Sequence, residues 1–195
     1  MGIIYEMNEL VNGDSAERNR KEQEYLDYIK EHVHNVVNMY EKYFFPLLYK
    51  EFTLYTCSAS ELKSSIEQIK EYIQFHDSSK YSEEEFVPYR RKFYPTSAEQ
   101  ALDAEQKRMI ENESEEAWVH HYRNNPHHPQ YWKDENGTRD MHMTAIVEML
   151  CDWMAMSYKF HQDTLEWWSK AEKEKSFMTE KTKEIVDEIL NFVLR

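Results

Sequence analysis

Three glycines and five prolines are all that punctuate 195 residues. Folds made of many short strands need turn formers at close, regular spacing. A chain this poor in them is expected to be built from long helices. Hydrophobic periodicity agrees. Leu26, Ile29, Val33, Val37 and Tyr40 recur at helical spacing, predicting a helix from near Ala16 to Phe44 that Pro46 closes. Residues 47–57 read equally as a helical turn or a short strand. Ser58 and Glu61 have the pattern of a capping box, and Leu62, Ile66, Ile69 and Ile73 continue one face of the helix that follows. That face runs on to His76, with Asp77 at its edge. Ser82 with Glu85 and Ser97 with Gln100 repeat the capping signal, the first ahead of Phe86, Tyr89 and Phe93, the second ahead of a charged helix reaching Asn124. Asn136-Gly137 marks a turn. A helix from about Met141 to Trp168 and a C-terminal one carrying Ile185, Ile189, Phe192 and Val193 complete the chain. The expected fold is all-α, a single-domain helical bundle of about six or seven helices over residues 18–195, with a loose arm at 1–17. At this length one domain buries roughly 70% of its unfolded-chain surface, enough for a full core.

A net charge of −13 argues against an extended nucleic-acid partner, which needs a basic face, and against docking on anionic membranes. No run of about 18 apolar residues is present to span a bilayer, and no basic segment precedes an apolar one as in a secretory signal. Cys57 and Cys151 do not make a disulfide framework and fit a reducing, cytoplasmic setting. The acidic run at 111–116 reads as a solvated face.

Two features point to chemistry. The helix over 141–168 is apolar nearly all round between Ala145 and Met156, as a central bundle helix is, yet Glu148 and Asp152 interrupt it four residues apart on one face. A bare buried carboxylate costs several kcal/mol, on the order of what an unpaired buried ion loses, unless it is paired, protonated or metal-bound. Residues 117–132, AWVHHYRNNPHHPQYW, hold four of the nine histidines, in two pairs about an Asn-Asn-Pro break. Imidazole and carboxylate together suit Zn, Mn, Fe or Co and need no thiolate. His34 or His32 from the first helix, His76 with Asp77, and Asp152 then form a candidate four-ligand site; the helical wheel does not choose between the two histidines. The alternative for each acid is an ion pair with a buried Arg or Lys.

The single His, the adjacent His-Asp and the distant Asp resemble the HD-domain metal-dependent phosphohydrolases, and HDSSK resembles the HD-x-x-K variant of their motif. The resemblance implies His34, His76, Asp77 and Asp152 as metal ligands, with Lys80 as a phosphate contact or proton donor. Some HD enzymes hold a second metal through extra histidines, for which His121 and His128 are the candidates. The chain also resembles, over roughly residues 30–160, a domain-of-unknown-function family of bacterial and phage genomes. Its marks stand here as HDSSKYSEEEF, AWVHHYRNNPHHPQYW and EMLCDW. Lys80 departs from the HD-type 5′-nucleotidases, which place an acidic residue there.

The resulting expectation is an HD-like phosphohydrolase for a nucleotide or other small phosphate ester. One or two divalent ions (Mn, Co, Zn, Fe or Mg) would activate water. Asp77, Lys80, His121 and Arg123 are its candidate catalytic residues. Lys80, Arg123, Asn124, His127, Trp132 and Glu148 are expected to line the substrate pocket, with Glu148 alternatively a partner to a histidine. Tyr131 with Trp132 would offer an aromatic wall. A homodimer is compatible with this reading. The competing expectations are a non-catalytic module that binds a phosphorylated small molecule, a metal-stapled interaction protein and, further off, a di-iron oxygenase.

Overall fold

The computed structural model describes residues 2–195, with side chains from residue 15 onward. The first helix, α1, is Gly2–Met39. It begins well before Ala16, so the backbone of the expected arm continues the helix; the side chains of 1–14 lie outside the described residues. Gly13 does not interrupt it, in keeping with a mid-helix glycine costing only about 1 kcal/mol. A π-turn at Tyr40–Phe44 and a 3-10 turn at Phe45–Tyr49 with Pro46 in its first turn follow. Then come α2 (Ala59–Lys70), α3 (Glu83–Phe93), α4 (Ser97–Gln100), α5 (Ala104–Asn124), a two-residue hairpin of β1 (Lys133–Asp134) and β2 (Gly137–Thr138), α6 (Met143–Lys159), α7 (Thr164–Lys170), α8 (Glu172–Lys175) and α9 (Glu180–Leu194). The chain is mostly helical, as its composition implied. No described helix is long and apolar enough to cross a membrane.

The chain divides into two compact units, residues 1–31 with 78–121 and residues 32–77 with 122–195. In the second, α6 is the centre. It packs on α2, α7 and α9, and Ile146, Met149 and Leu150 are fully buried with Leu62, Ile66 and Ile69 of α2 and Ile189 and Leu190 of α9. The Tyr40 hydroxyl donates to Ile66 O at 3.0 Å, and burial pushes its pKa up to about 12. On α9 the buried face is Ile185, Val186, Ile189 and Leu190, turned away from the expected Phe192, which is exposed. Asp134 pairs with Gly137, whose φ of 124° is open to glycine alone at little cost.

Several expected helices are shorter than their patterns. The 141–168 stretch breaks after Lys159. His161 takes a left-handed φ of 54°, Gln162 N–H donates to Ser157 O at 2.8 Å and His161 N–H to Tyr158 O at 3.3 Å, a Schellman ending. Asp163 then caps α7, accepting from Glu166 N–H at 2.8 Å. The 97–124 stretch breaks likewise, because Asp103 and Gln106 exchange side chain–backbone bonds at 2.9 and 3.2 Å to open α5.

In the first unit, Tyr25 of α1 packs against Phe86 and Tyr94 at ring distances of 5.1 and 5.6 Å. The capping box that starts α4 is Thr96 with Glu99, one residue ahead of the expected Ser97 and Gln100. Glu99 also takes Arg90 through both guanidinium nitrogens, at 2.5 and 2.7 Å. Burial opposes its ionisation, but Arg90 and the Thr96 backbone outweigh it and hold the pKa below the usual value. A depressed carboxylate contributes stability above its unfolded pKa and loses it as pH falls through the folded one. Glu99→Gln is therefore expected to cost about 2 kcal/mol at pH 7, and the gap between its melting curve and the wild type's should close on acidification below the ordinary glutamate pKa of 4.5.

Candidate metal centre

The second unit brings together side chains from four separated stretches. His32 lies on α1, whose buried residues there are Tyr25, Ile29, His32, Asn35, Val36 and Met39; of the expected stripe Ile29 and Tyr40 are buried, while Leu26, Val33 and Val37 are half-buried. Of the two candidate histidines, His32 is 3% exposed while His34 faces solvent. His76 and Asp77 stand on a connector rather than a helix: α2 ends at Lys70 and a 3-10 turn spans Ile73–Phe75. His76 and Asp77 then form a turn, in which Asp77 takes a left-handed φ of 58°. Asp tolerates that region better than most residues, at a cost of roughly 1 kcal/mol. Glu148 and Asp152 lie on α6, and His127 on the loop between α5 and the 3-10 turn Pro129–Trp132.

Their donor atoms converge. His32 Nε2 is 3.4 Å from Asp77 Oδ2 and 3.2 Å from Asp152 Oδ1. His76 Nε2 is 3.5 Å from Asp77 Oδ2 and 3.8 Å from Asp152 Oδ1. Donors that share one ion at bond lengths of about 2.1 Å stand roughly 3–3.5 Å from each other. His76 Nε2 is buried and has no hydrogen-bond partner, which a neutral ring nitrogen tolerates only at a price unless a cation takes its lone pair. On the other side of Asp77, His127 Nε2 is 3.3 Å from Oδ1. Asp77, His127 and His128 each offer a ligand atom within 4.8 Å of the others.

Glu148 sets the ring orientations. Its Oε1 lies 2.9 Å from His76 Nδ1 and 3.3 Å from His127 Nδ1. A carboxylate that accepts from Nδ1–H leaves Nε2 as the free donor, the usual support for metal-binding imidazoles. Burial works against ionised Glu148, yet His127 and His76 bring its pKa down to about 2. Burial likewise opposes a charged His127, and Asp77 and Glu148 overcome it, raising that pKa to about 10. Asp152 is held well below the carboxylate range by His32 and His76 against the effect of burial. Among the described residues the ion-pair partners of Glu148 and Asp152 are all imidazoles, so the buried Arg or Lys considered from the sequence is not what neutralises them. Burial keeps the adjacent Cys151 thiol protonated and outside this chemistry.

A family model described as a family of unknown function, DUF5662, matches residues 21–192. The chain belongs to DUF5662. No curated protein and no solved structure matches it.

The DUF5662 structure redistributes the remaining sequence candidates. His34 is exposed, and it is His32 that stands among the buried donors. His127, expected in the substrate pocket, is a buried donor, 1% exposed. Glu148 is the histidine partner rather than a pocket residue. Trp132 is corrected too: it is buried, and its Nε1–H donates to Pro126 O at 2.7 Å, pinning the histidine loop instead of walling a pocket. Arg123 and Asn124 are exposed at the end of α5, and His128 is half-buried with its ring 4.2 Å from that of His127. Lys80 is half-buried on the 3-10 turn Ser78–Tyr81, in the other unit. His121 belongs to that unit as well. Its Nδ1 lies 2.7 Å from Glu85 Oε2 and 3.2 Å from Ser79 Oγ, while His120 Nδ1 lies 2.8 Å from Glu85 Oε1. Glu85, read as half of a capping box, is fully buried and bridges the two histidines; Ser82 makes no side-chain cap. The available signal was its spacing, since Glu85 shares a helical face with Tyr89.

Removing the Glu148 carboxylate frees two rings at once. Glu148→Ala is expected to weaken metal affinity by about 10–100-fold, with Glu148→Gln falling between, because an amide oxygen still accepts one N–H. Competition against a fluorescent chelator measures both.

Proposed function

We propose that this DUF5662 protein is a metal-dependent phosphohydrolase, HD-like in its ligand set, acting on a nucleotide or other small phosphate ester. The supporting observation is that His32, His76 and Asp77 offer ligand atoms within 4.8 Å of one another and Asp152 Oδ1 lies 3.2 and 3.8 Å from the two rings, in the chain order of the HD pattern, with Glu148 fixing the His76 ring. A divalent ion held there supplies Lewis-acid polarisation of a phosphoryl oxygen and lowers the pKa of water. His127 and His128, with Asp77 common to both groups, would make room for a second ion.

The chain's own residues do the rest. Asp77 and Asp152 bring negative charge that a cation offsets, and the His76 ring stays aligned through its Nδ1 on Glu148. Hydrolysis forms one P–O bond from water and breaks the ester P–O bond, and the proton lost by water ends on the leaving oxygen.

The test is metal analysis of untagged protein, followed by phosphate release from a panel of phosphate esters with Mn, Co or Mg. About one or more equivalents of metal and metal-dependent release support the proposal; a metal-free protein with no response to added ions overturns it. A structural staple is the second reading, favoured by the depth of the donors: His32, His76 and Asp77 are each 2–3% exposed. It predicts bound metal without turnover.

A further inference from the structure

The loop that carries His127 continues into a second feature that the metal reading leaves unused. An open cleft of about 530 Å³ lies over residues 122–139, lined by Tyr122, Arg123, Gln130, Tyr131, Lys133 and Arg139 among others. Its size is that of a small-ligand site, for which roughly 300–1,000 Å³ is usual. Its charge runs against the chain's. Three cations, Arg123, Lys133 and Arg139, face two acids, Asp134 and Glu135, whereas the whole sequence has 24 basic and 37 acidic residues.

The acids do not cancel the cations. Asp134 accepts from Asn136 N–H at 2.8 Å and stands 3.9 Å from Arg139, a loose contact. No carboxylate among the described residues pairs with Arg123. Arg139 is oriented in advance, its Nη2 donating to Tyr131 O at 3.4 Å and its guanidinium lying 5.6 Å from the Trp132 ring centre. Trp132 is itself fixed by Pro126. Beside these donors, the side-chain oxygen of Gln130 is buried without a hydrogen-bond partner. A buried amide oxygen left unmet calls for a donor.

A ligand for this cleft thus carries an anion with several acceptor oxygens, an N–H group, and a flat face for Tyr122 and Tyr131. We propose that the cleft binds a nucleoside phosphate: the phosphate on Arg123 and Arg139, a base N–H on Gln130 Oε1, and the base against the tyrosines; Lys133 Nζ, which donates to Ser176 O at 3.3 Å, adds only its charge. Guanidinium forks suit phosphate oxygens, and aromatic rings accept any base face. The proposal does not depend on catalysis at the metal centre.

The test is calorimetric titration of the protein as purified with the 5′-methylenephosphonate analogues of adenosine, guanosine, cytidine and uridine, whose C–P bond resists hydrolysis, alongside the parent nucleosides and inorganic phosphate. At least one analogue is expected to bind about tenfold or more tightly than its nucleoside and than phosphate. The double variant Arg123→Glu/Arg139→Ala is expected to lose that gain, and Gln130→Leu to bring the analogue close to phosphate alone. Both arginines are exposed, so the fold should survive their replacement, which circular dichroism checks. The bound metal should stay at its wild-type level in both variants. Saturable binding that the double variant retains would assign the phosphonate to another site and overturn the proposal, as would no binding by any analogue.

Discussion

Asp77→Ala is expected to lower phosphate release by about a hundred- to a thousandfold, the loss typical of removing one group that stabilises the charged transition state, and to strip the bound metal. The reason lies in what the side chain touches. Its two oxygens stand 3.3–3.5 Å from the Nε2 atoms of three rings, His32, His76 and His127. Removing it leaves the imidazoles with a single nearby aspartate, Asp152, and alanine at a φ of 58° adds about 1 kcal/mol of backbone strain. Asp77→Asn separates charge from shape, since it keeps the hydrogen-bonding outline without the anion. It should hold metal weakly and still fail to turn over. His34→Ala is the complementary control. That ring faces solvent, so metal content and activity should match the wild type. If His34→Ala loses metal and activity while His32→Ala keeps both, the ligand set is the one first implied by the HD resemblance rather than the one the geometry favours, and an Asp77→Ala that keeps its metal and its full rate overturns both sets.

The contrast between His34 and His32 shows what the sequence could and could not carry. The central helix α6 was legible because an apolar surface nearly all round it, broken by Glu148 and Asp152, leaves few places but the middle of a bundle. The His-Asp pair was legible as chemistry, yet its placement was not: an apolar pattern that fits helical spacing up to His76 is also satisfied by a helix, a 3-10 turn and a tight turn. Helix ends were missed where Asp caps them. Asp103 and Asp163 each start a helix inside what periodicity reads as one continuous span. On α1, Leu26 and Val33, more hydrophobic by type, are half-buried while Tyr25 and His32 are buried. Hydrophobicity scales rank side chains by transfer to an apolar phase, and a polar ring with buried partners escapes that ranking. Glu85 was hidden for the same reason, a carboxylate whose partners, His120 and His121, stand 35 and 36 positions along the chain.

Chelation is expected to have the largest effect on stability. A ligand bound to the native state alone at a thousand times its Kd stabilises by about 4 kcal/mol, and in a chain of this length each kcal/mol moves the melting temperature by about 2–4 °C. Removing the metal should therefore lower Tm by roughly 8–16 °C, read by calorimetry before and after EDTA and again after restoring Mn or Zn. The stripped protein should still fold. Asp77 and Glu148 raise the His127 pKa to about 10, against the opposing effect of burial, so at pH 7 an imidazolium offsets part of the acid charge that the ion otherwise balances. The decisive chain is His76→Ala. Its ring stands between Asp77, Asp152 and Glu148, so its Tm should already be low and EDTA should change it little. A His76→Ala protein that melts like the wild type and still drops on chelation would place the ion elsewhere in the molecule. Tm restored by Zn without phosphate release would favour the staple over the enzyme, because both readings share the ion and only one requires water and substrate to reach the Asp152 side, where the side chain is 13% exposed.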